Sequence, residues 1–169
     1  MPNRFWNISA NKDTMPLQPV LNPHNKEEHK PSHTAEHLLN QVMVRMFGCE
    51  RSRNAHIERK KSKINYTLDH EPTPQQIGEI ERQMNELIAQ DLPVTYEYVT
   101  RQSIPEGVTL DKLPQDASET IRIVRIGDFD ICPCIGQHVS STGEIGSFHI
   151  TSTSYKDQSF RIVFKVTTE

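Results

Sequence analysis

The chain has 169 residues, a formal net charge of −3, 24% charged residues and 34% hydrophobic ones, which suits one domain with a sizeable core. This balance excludes a broadly basic surface built to attract nucleic acid everywhere, and no run approaches the ~20 apolar residues of a membrane span. Three cysteines, two of them (Cys132 and Cys134) one residue apart and the third at Cys49, make a poor disulfide framework. With no apolar run after Met1–Trp6 of the kind a secretory signal needs, a reducing, cytoplasmic setting is expected.

Residues 1–30 carry Pro2, Pro16, Pro19 and Pro23 without apolar periodicity, the pattern of an extended or partly ordered arm. Order is expected from Pro31 on. Ser32 is a suitable N-cap and Gly48 a suitable stop for a helix over 33–47, with Ala35, Leu38, Leu39, Val42, Met43 and Met46 on one apolar face. At 100° per residue, His33 and His37 point away from that face. Ile64, Tyr66 and Leu68 alternate as a half-buried strand. Thr73-Pro74-Gln75-Gln76 has the capping residue, N1 proline and N3 glutamine of a second helix start, and Ile77, Ile80, Met84, Leu87 and Ile88 form its buried stripe.

Val94–Thr100 reads as a strand, 101–118 as a loop with at most one helical turn, and Thr120–Ile126 as an isoleucine- and valine-rich strand. Strands over 146–151 and 160–166 follow. The class expected for residues 31–169 is α+β: a two-layer domain with a mostly antiparallel sheet of about five strands packed on two amphipathic helices.

Chemistry concentrates in two short segments. His33 and His37 stand four apart, one above the other on a helix, and Cys134 and His138 repeat that interval nearly a hundred residues later. Three imidazoles and a thiolate form a borderline-soft set that suits Zn²⁺ better than Mg²⁺ or Ca²⁺. Pro133 and Gly136 give the second pair the tight loop that delivers ligands. Cys132 competes with Cys134 for the thiolate position. His33-x-x-Glu36-His37 also satisfies the pattern of inverted zinc peptidases, but that reading leaves Cys134 and His138 unexplained. One dense basic run exists, Arg59, Lys60, Lys61 and Lys63, and any RNA contact is expected there.

The motif Ser32-His33-Thr34-Ala35-Glu36-His37-Leu38-Leu39 resembles the helix start of the alanyl-tRNA synthetase editing domain and its free-standing AlaX-like relatives. Gly127-Asp128-Phe129, Cys134-Ile135-Gly136-Gln137-His138 and Thr142-Gly143-Glu144-Ile145-Gly146 resemble the same family's second segment, with Gln137 where the synthetases carry threonine. The short AlaX-like form is the better match, and the editing domain of threonyl-tRNA synthetase is a neighbour. The resemblance implies a Zn²⁺ held by His33, His37, Cys134 and His138 in an aminoacyl-tRNA deacylase. It would hydrolyse mischarged tRNA in trans, serine or glycine on tRNA(Ala) first, with a metal-activated water and no side-chain base assigned. Thr34, Ser52, Gly136, Gln137 and Thr142 become candidate substrate contacts, and Arg161 joins the basic run as a candidate tRNA contact. With no phosphate-binding glycine loop, no nucleotide cofactor is expected. Two alternatives stay open: editing of Ser-tRNA(Thr), and a structural zinc in a binding module without activity, because four protein ligands normally describe a closed site.

Overall fold

The computed structural model describes residues 28–108 and 120–168. Of the expected arm, residues 1–27 lie outside the described residues, as does the 101–118 loop from residue 109 on.

Helix α1 runs Lys30–Phe47 and starts three residues earlier than Ser32 as a cap would place it. His29 occupies the cap position and Pro31 sits in the first turn, where a missing N–H costs nothing and the fixed φ suits the helix. Ser32 is instead inside the helix, its hydroxyl 2.7 Å from Nδ1 of His29. Gly48, at φ 69°, ends α1 as expected, and its N–H returns to the Val44 carbonyl. Strands β1 (Asn54–His56) and β2 (Ser62–Thr67) precede helix α2 (Pro74–Ala89). The capping box of α2 is complete: Thr73 Oγ1 accepts from Gln76 N–H, and Gln76 Oε1 accepts from Thr73 N–H. Then come β3 (Val94–Thr100), β4 (Thr120–Ile126), β5 (Asp130–Pro133), a 3₁₀ turn over Thr142–Ile145, β6 (Ser147–Lys156) and β7 (Ser159–Thr167).

The α+β class with antiparallel sheet and two main helices holds, and the strands are distributed over two sheets. One has the order β1-β2-β7-β6 and the other β3-β4-β5, all pairs antiparallel. Short β1 and β5 escape sequence patterning because a three- or four-residue strand has no room to show alternation. Register puts Ile64 opposite Ile162 and Tyr66 opposite Phe160, so one face of the four-stranded sheet is mostly apolar. Leu38, Leu39, Val42 and Met43 of α1 and Ile80 and Met84 of α2 complete that core, all inaccessible to solvent. At about 25 cal/mol per Å² of apolar area, each such side chain contributes roughly 1.5–3 kcal/mol.

Helix α1 is also covered on its other side. Gln41 donates to Asp130 Oδ1 of β5 at 2.9 Å, and Arg45 donates to the Phe129 carbonyl while its guanidinium lies 4.3 Å from that ring's centre. Thr142 fastens the end of α2 to the 3₁₀ turn. Its fully buried hydroxyl donates to the Leu87 carbonyl and accepts from Leu92 N–H, both at 2.8 Å. Thr142→Val keeps the shape and strands both backbone groups, so we expect a loss of roughly 2–4 kcal/mol. Urea unfolding measures it, with Thr142→Ser near wild type; a loss below about 1 kcal/mol would show that the hydroxyl is not what fastens this corner.

Candidate metal centre

The first donor pair comes from the opening turns of α1. Pointing away from the apolar face does not leave His33 and His37 exposed, however: both are buried, at 8% and 5% accessibility. The cover is the second pair's own loop, which lies across them. That loop leaves the β4–β5 hairpin, whose turn uses Gly127 at φ 51°. Cys134 N–H still donates to the Arg122 carbonyl at 3.1 Å. The Arg122 guanidinium then closes on the loop, donating from Nε to the Cys134 carbonyl at 2.7 Å and from Nη2 to the Gly136 carbonyl. At Gly136 the chain passes so near the helix that a Cβ would stand 2.5 Å from His33 Cε1 and 2.5 Å from Glu28 Oε1. Only glycine fits.

One donor atom from each of His33, His37, Cys134 and His138 lies within 4.8 Å of every other. The His33 and His138 rings stack at 4.1 Å, and His37 stands edge-on to both, at 5.0 and 4.5 Å. The Nδ1 atoms are turned to the protein. His33 Nδ1–H donates to the Gln137 carbonyl at 2.9 Å, His138 Nδ1 shares a hydrogen bond with Thr34 Oγ1 at 2.9 Å, and His37 Nδ1 faces Asp130 Oδ2 at 3.8 Å. The carbonyl fixes the His33 proton on Nδ1 and leaves its Nε2 as the lone-pair atom, the arrangement by which outer groups orient metal-binding imidazoles.

The donor set fits a tetrahedral cation. His138 Nε2 is buried with no hydrogen-bond partner, a costly state for a polar atom unless something else binds it. Cys134 Sγ lies 3.5 Å from His33 Nε2, close to the roughly 3.6 Å edge set by Zn–S and Zn–N bonds of ~2.3 and ~2.05 Å. Cys132, on β5, is outside the group, so Cys134 is the sulfur that converges. Burial holds the Cys134 thiol up at about 12. It pushes His138 down to about 2, with the neighbouring His33 and Arg122 charges adding to the fall. At neutral pH His138 is the neutral imidazole, with a lone pair free for a metal, and the thiol keeps its proton.

The other candidate residues divide by place. Thr34 is fully buried and serves His138, with Val139 N–H also donating to its hydroxyl at 3.2 Å. Gly136 gives the close approach, and Gln137 contributes its backbone carbonyl and, through its N–H, a 2.6 Å bond to Glu28. Thr142 spends its hydroxyl in the α2 corner. Ser52 borders an open cleft of about 420 Å³ lined by Glu36, Ser52, Arg53 and Ala55. That cleft adjoins the donors, because Glu36 Oε1 lies 3.9 Å from His33 Nε2. Arg59, Lys60 and Lys61 sit exposed at the β1–β2 turn, with Lys63 and Arg161 on the outer face of the four-stranded sheet.

Sequence reasoning missed the group behind His37. Asp130, 3% accessible, accepts from Arg51 through both nitrogens, at 2.6 and 3.3 Å, and from Gln41. Its partners lie about 80–90 residues away in sequence, so no local pattern announces them. Arg122 did leave a signal, one of two arginines, with Arg125, inside an isoleucine- and valine-rich strand.

Residues 121–163 match the family described as the threonyl and alanyl tRNA synthetase second additional domain. The chain is 36% identical over 117 residues to the alanyl-tRNA editing protein AlaX-L of Pyrococcus horikoshii, covering 68% of this chain and 28% of that one. To the alanine–tRNA ligase of Idiomarina loihiensis it is 29% identical over 128 residues (75% of this chain, 15% of the ligase), and to that of Caldicellulosiruptor saccharolyticus 31% over 124 (73% and 14%). The chain thus spans about a seventh of these ligases and little more than a quarter of the archaeal protein.

Two outcomes are expected of metal titration. Because the apo thiol is protonated far above neutral pH, zinc binding at pH 7.5 should release about one proton per ion. Calorimetry in buffers of different ionisation enthalpy measures it, and zero release would mean the sulfur is not a ligand. Gly136→Ala, which forces the loop off His33, should lower zinc affinity by at least about tenfold, while Cys132→Ser leaves it unchanged.

Proposed function

We propose, from the premise that this chain is a homologue of the alanyl-tRNA synthetase editing domain and of the AlaX-like proteins, that it is a zinc-dependent aminoacyl-tRNA deacylase. Its substrate on this reading is the ester joining a wrong amino acid, serine or glycine, to the 3′ end of tRNA(Ala), hydrolysed in trans. The observation that carries the reading is a buried, convergent His₃Cys donor set beside an open polar cleft.

His33, His37, Cys134 and His138 would hold the ion, which when bound supplies Lewis acidity to polarise an ester carbonyl and to make water a better nucleophile at neutral pH. The protein's own part is positional. The Gln137 carbonyl and the Thr34 hydroxyl lock the rings of His33 and His138, and Arg122 ties down the carbonyls on either side of Ile135. The amino acid would enter the cleft of Glu36, Ser52, Arg53 and Ala55, whose polar wall can bond a serine hydroxyl. A site that bonds a hydroxyl rejects the analogue lacking it far better than an apolar pocket rejects one extra methylene. Alanine is spared on those grounds.

Four protein donors are the usual complement of a closed structural zinc, and this favours a second reading, a binding module in which the ion only staples the loop to α1. A deacylation panel separates the two. Purified protein with Ser- and Gly-tRNA(Ala) should release free amino acid, Ala-tRNA(Ala) should react at least about 100-fold more slowly, and chelator should abolish all release. Ser-tRNA(Thr) in the same panel tests the neighbouring specificity. If the zinc-loaded protein leaves every charged tRNA intact, the stapling role stands and the hydrolase falls.

A further inference from the structure

The four-stranded sheet has one apolar face, buried by the helices, and one face on which no helix lies among the described residues. Register shows what that outer face carries. Asn65, Arg161 and Ser154 form one cross-strand row; Lys63, Val163 and Ser152 form the next; Lys165 pairs with His149, and Lys156 with Ser159. Lys63, Lys156, Arg161 and Lys165 are all exposed, and none is in an ion pair among the described residues. No carboxylate stands in these rows. The chain as a whole is acidic, at −3, so four cations without a counter-charge on one polar face are a separation of charge within the molecule, not a reflection of its composition. Arg59, Lys60 and Lys61 extend the positive field from the β1–β2 turn at the same end as Lys63, against one carboxylate in that turn, Glu58, which lies 2.6 Å from His56 Nε2.

This face is continuous with the candidate site. Strand β1 is the edge strand of the sheet. Asn54 and His56 pair with Asn65 and Lys63 and share their outer face, while the intervening Ala55 lines the cleft beside Glu36. A single strand lying on the outer face therefore needs only to cross β1 to enter the cleft next to His33.

We propose that the outer face of the β1-β2-β7-β6 sheet docks the phosphate backbone of the tRNA, with Lys63, Lys156, Arg161 and Lys165 as its phosphate contacts and the unpaired 3′ end turning over the β1 edge into the cleft. The proposal rests on the deacylase reading for the identity of the polyanion. Charge decides the occupant. A second copy docking through the same face would bring like charge to like charge, whereas a duplex supplies a negative charge every ~1.7 Å of axis. The neutral Asn, Ser and Thr side chains between the cations can donate to phosphate and sugar oxygens without reading sequence.

The test uses the double charge reversal Lys156→Glu with Lys165→Glu, on side chains remote from the donor cluster. Uncharged tRNA(Ala) binding is measured between 50 and 200 mM salt, alongside hydrolysis of Ser-tRNA(Ala) and of a seryl ester of adenosine, too small to reach the sheet. We expect tRNA affinity to fall at least tenfold and the salt slope to flatten by about 1.4–1.8, the loss of two phosphate contacts. KM for Ser-tRNA(Ala) should rise with kcat unchanged, and adenosine-ester hydrolysis should not change. If neither ester is cleaved while reversal still weakens tRNA binding with a flatter slope, the docking face stands and the hydrolase reading alone fails. If the reversal leaves tRNA affinity and slope as in wild type, the docking face is overturned, and loss of binding to polyglutamate in the same variant would assign the patch to an acidic protein.

Discussion

The structure turns on one constraint, that α1 is buried on two opposite sides. Its leucines and valine press on the four-stranded sheet, and its histidines press on a loop from the three-stranded one. A helix buried all round is ordinarily apolar all round. Here the second buried side is polar, so each of its groups needs a partner in a medium where an unmet donor or acceptor costs a few kcal/mol. The bonds around His33, Thr34, Asn40 and Gln41 meet that need. Asn40 is the plainest case: its Oδ1 accepts from both Ser52 N–H and the buried Tyr66 hydroxyl. The polar layer left over, four donor atoms in the space of one ion, is the candidate site.

How much of this could be read from residues alone depends on the range of each signal. Short-range signals transferred well. The Thr73–Gln76 capping box, the Gly48 stop and the alternation through Ile64 and Tyr66 are each decided within a few residues. The start of α1 was displaced because a good capping residue, Ser32, competed with a proline equally at home inside the first turn. The donor set was legible because its two pairs repeat one interval, a coincidence that few other constraints produce. Burial of His33 and His37 was not legible, since the angular argument sees one helix and cannot know that a loop from residues 134–138 will cover its polar side. Asp130 and Arg51 were hidden for the same reason.

The groups around the donors differ in kind. Gln137 offers a backbone carbonyl, which any residue there would supply, so the departure from threonine at this position leaves the bond to His33 intact. Thr34 offers a side-chain hydroxyl, which only serine could replace. Asp130 brings a full charge, compensated by Arg51 at 2.6 Å, so the protein presents His37 with a carboxylate whose field is largely neutralised from behind. Breaking such a buried pair from one side alone is expensive, on the order of 3–5 kcal/mol, and the pair thereby holds β5 against the 51–53 segment that leads into the cleft.

The wide separation of the two donor pairs along the chain ties chemistry to folding order. A ring of about 100 residues costs roughly 4 kcal/mol of chain entropy to close, and between its ends lie both β1 and β2, all of α2, and β3, β4 and β5. No fragment that contains only one pair can assemble the centre. An ion shared by both pairs would therefore bind late, after the strands have paired, and would act as a clasp on the finished domain and not as a seed for it. Its departure would loosen the whole chain at once instead of freeing a single loop.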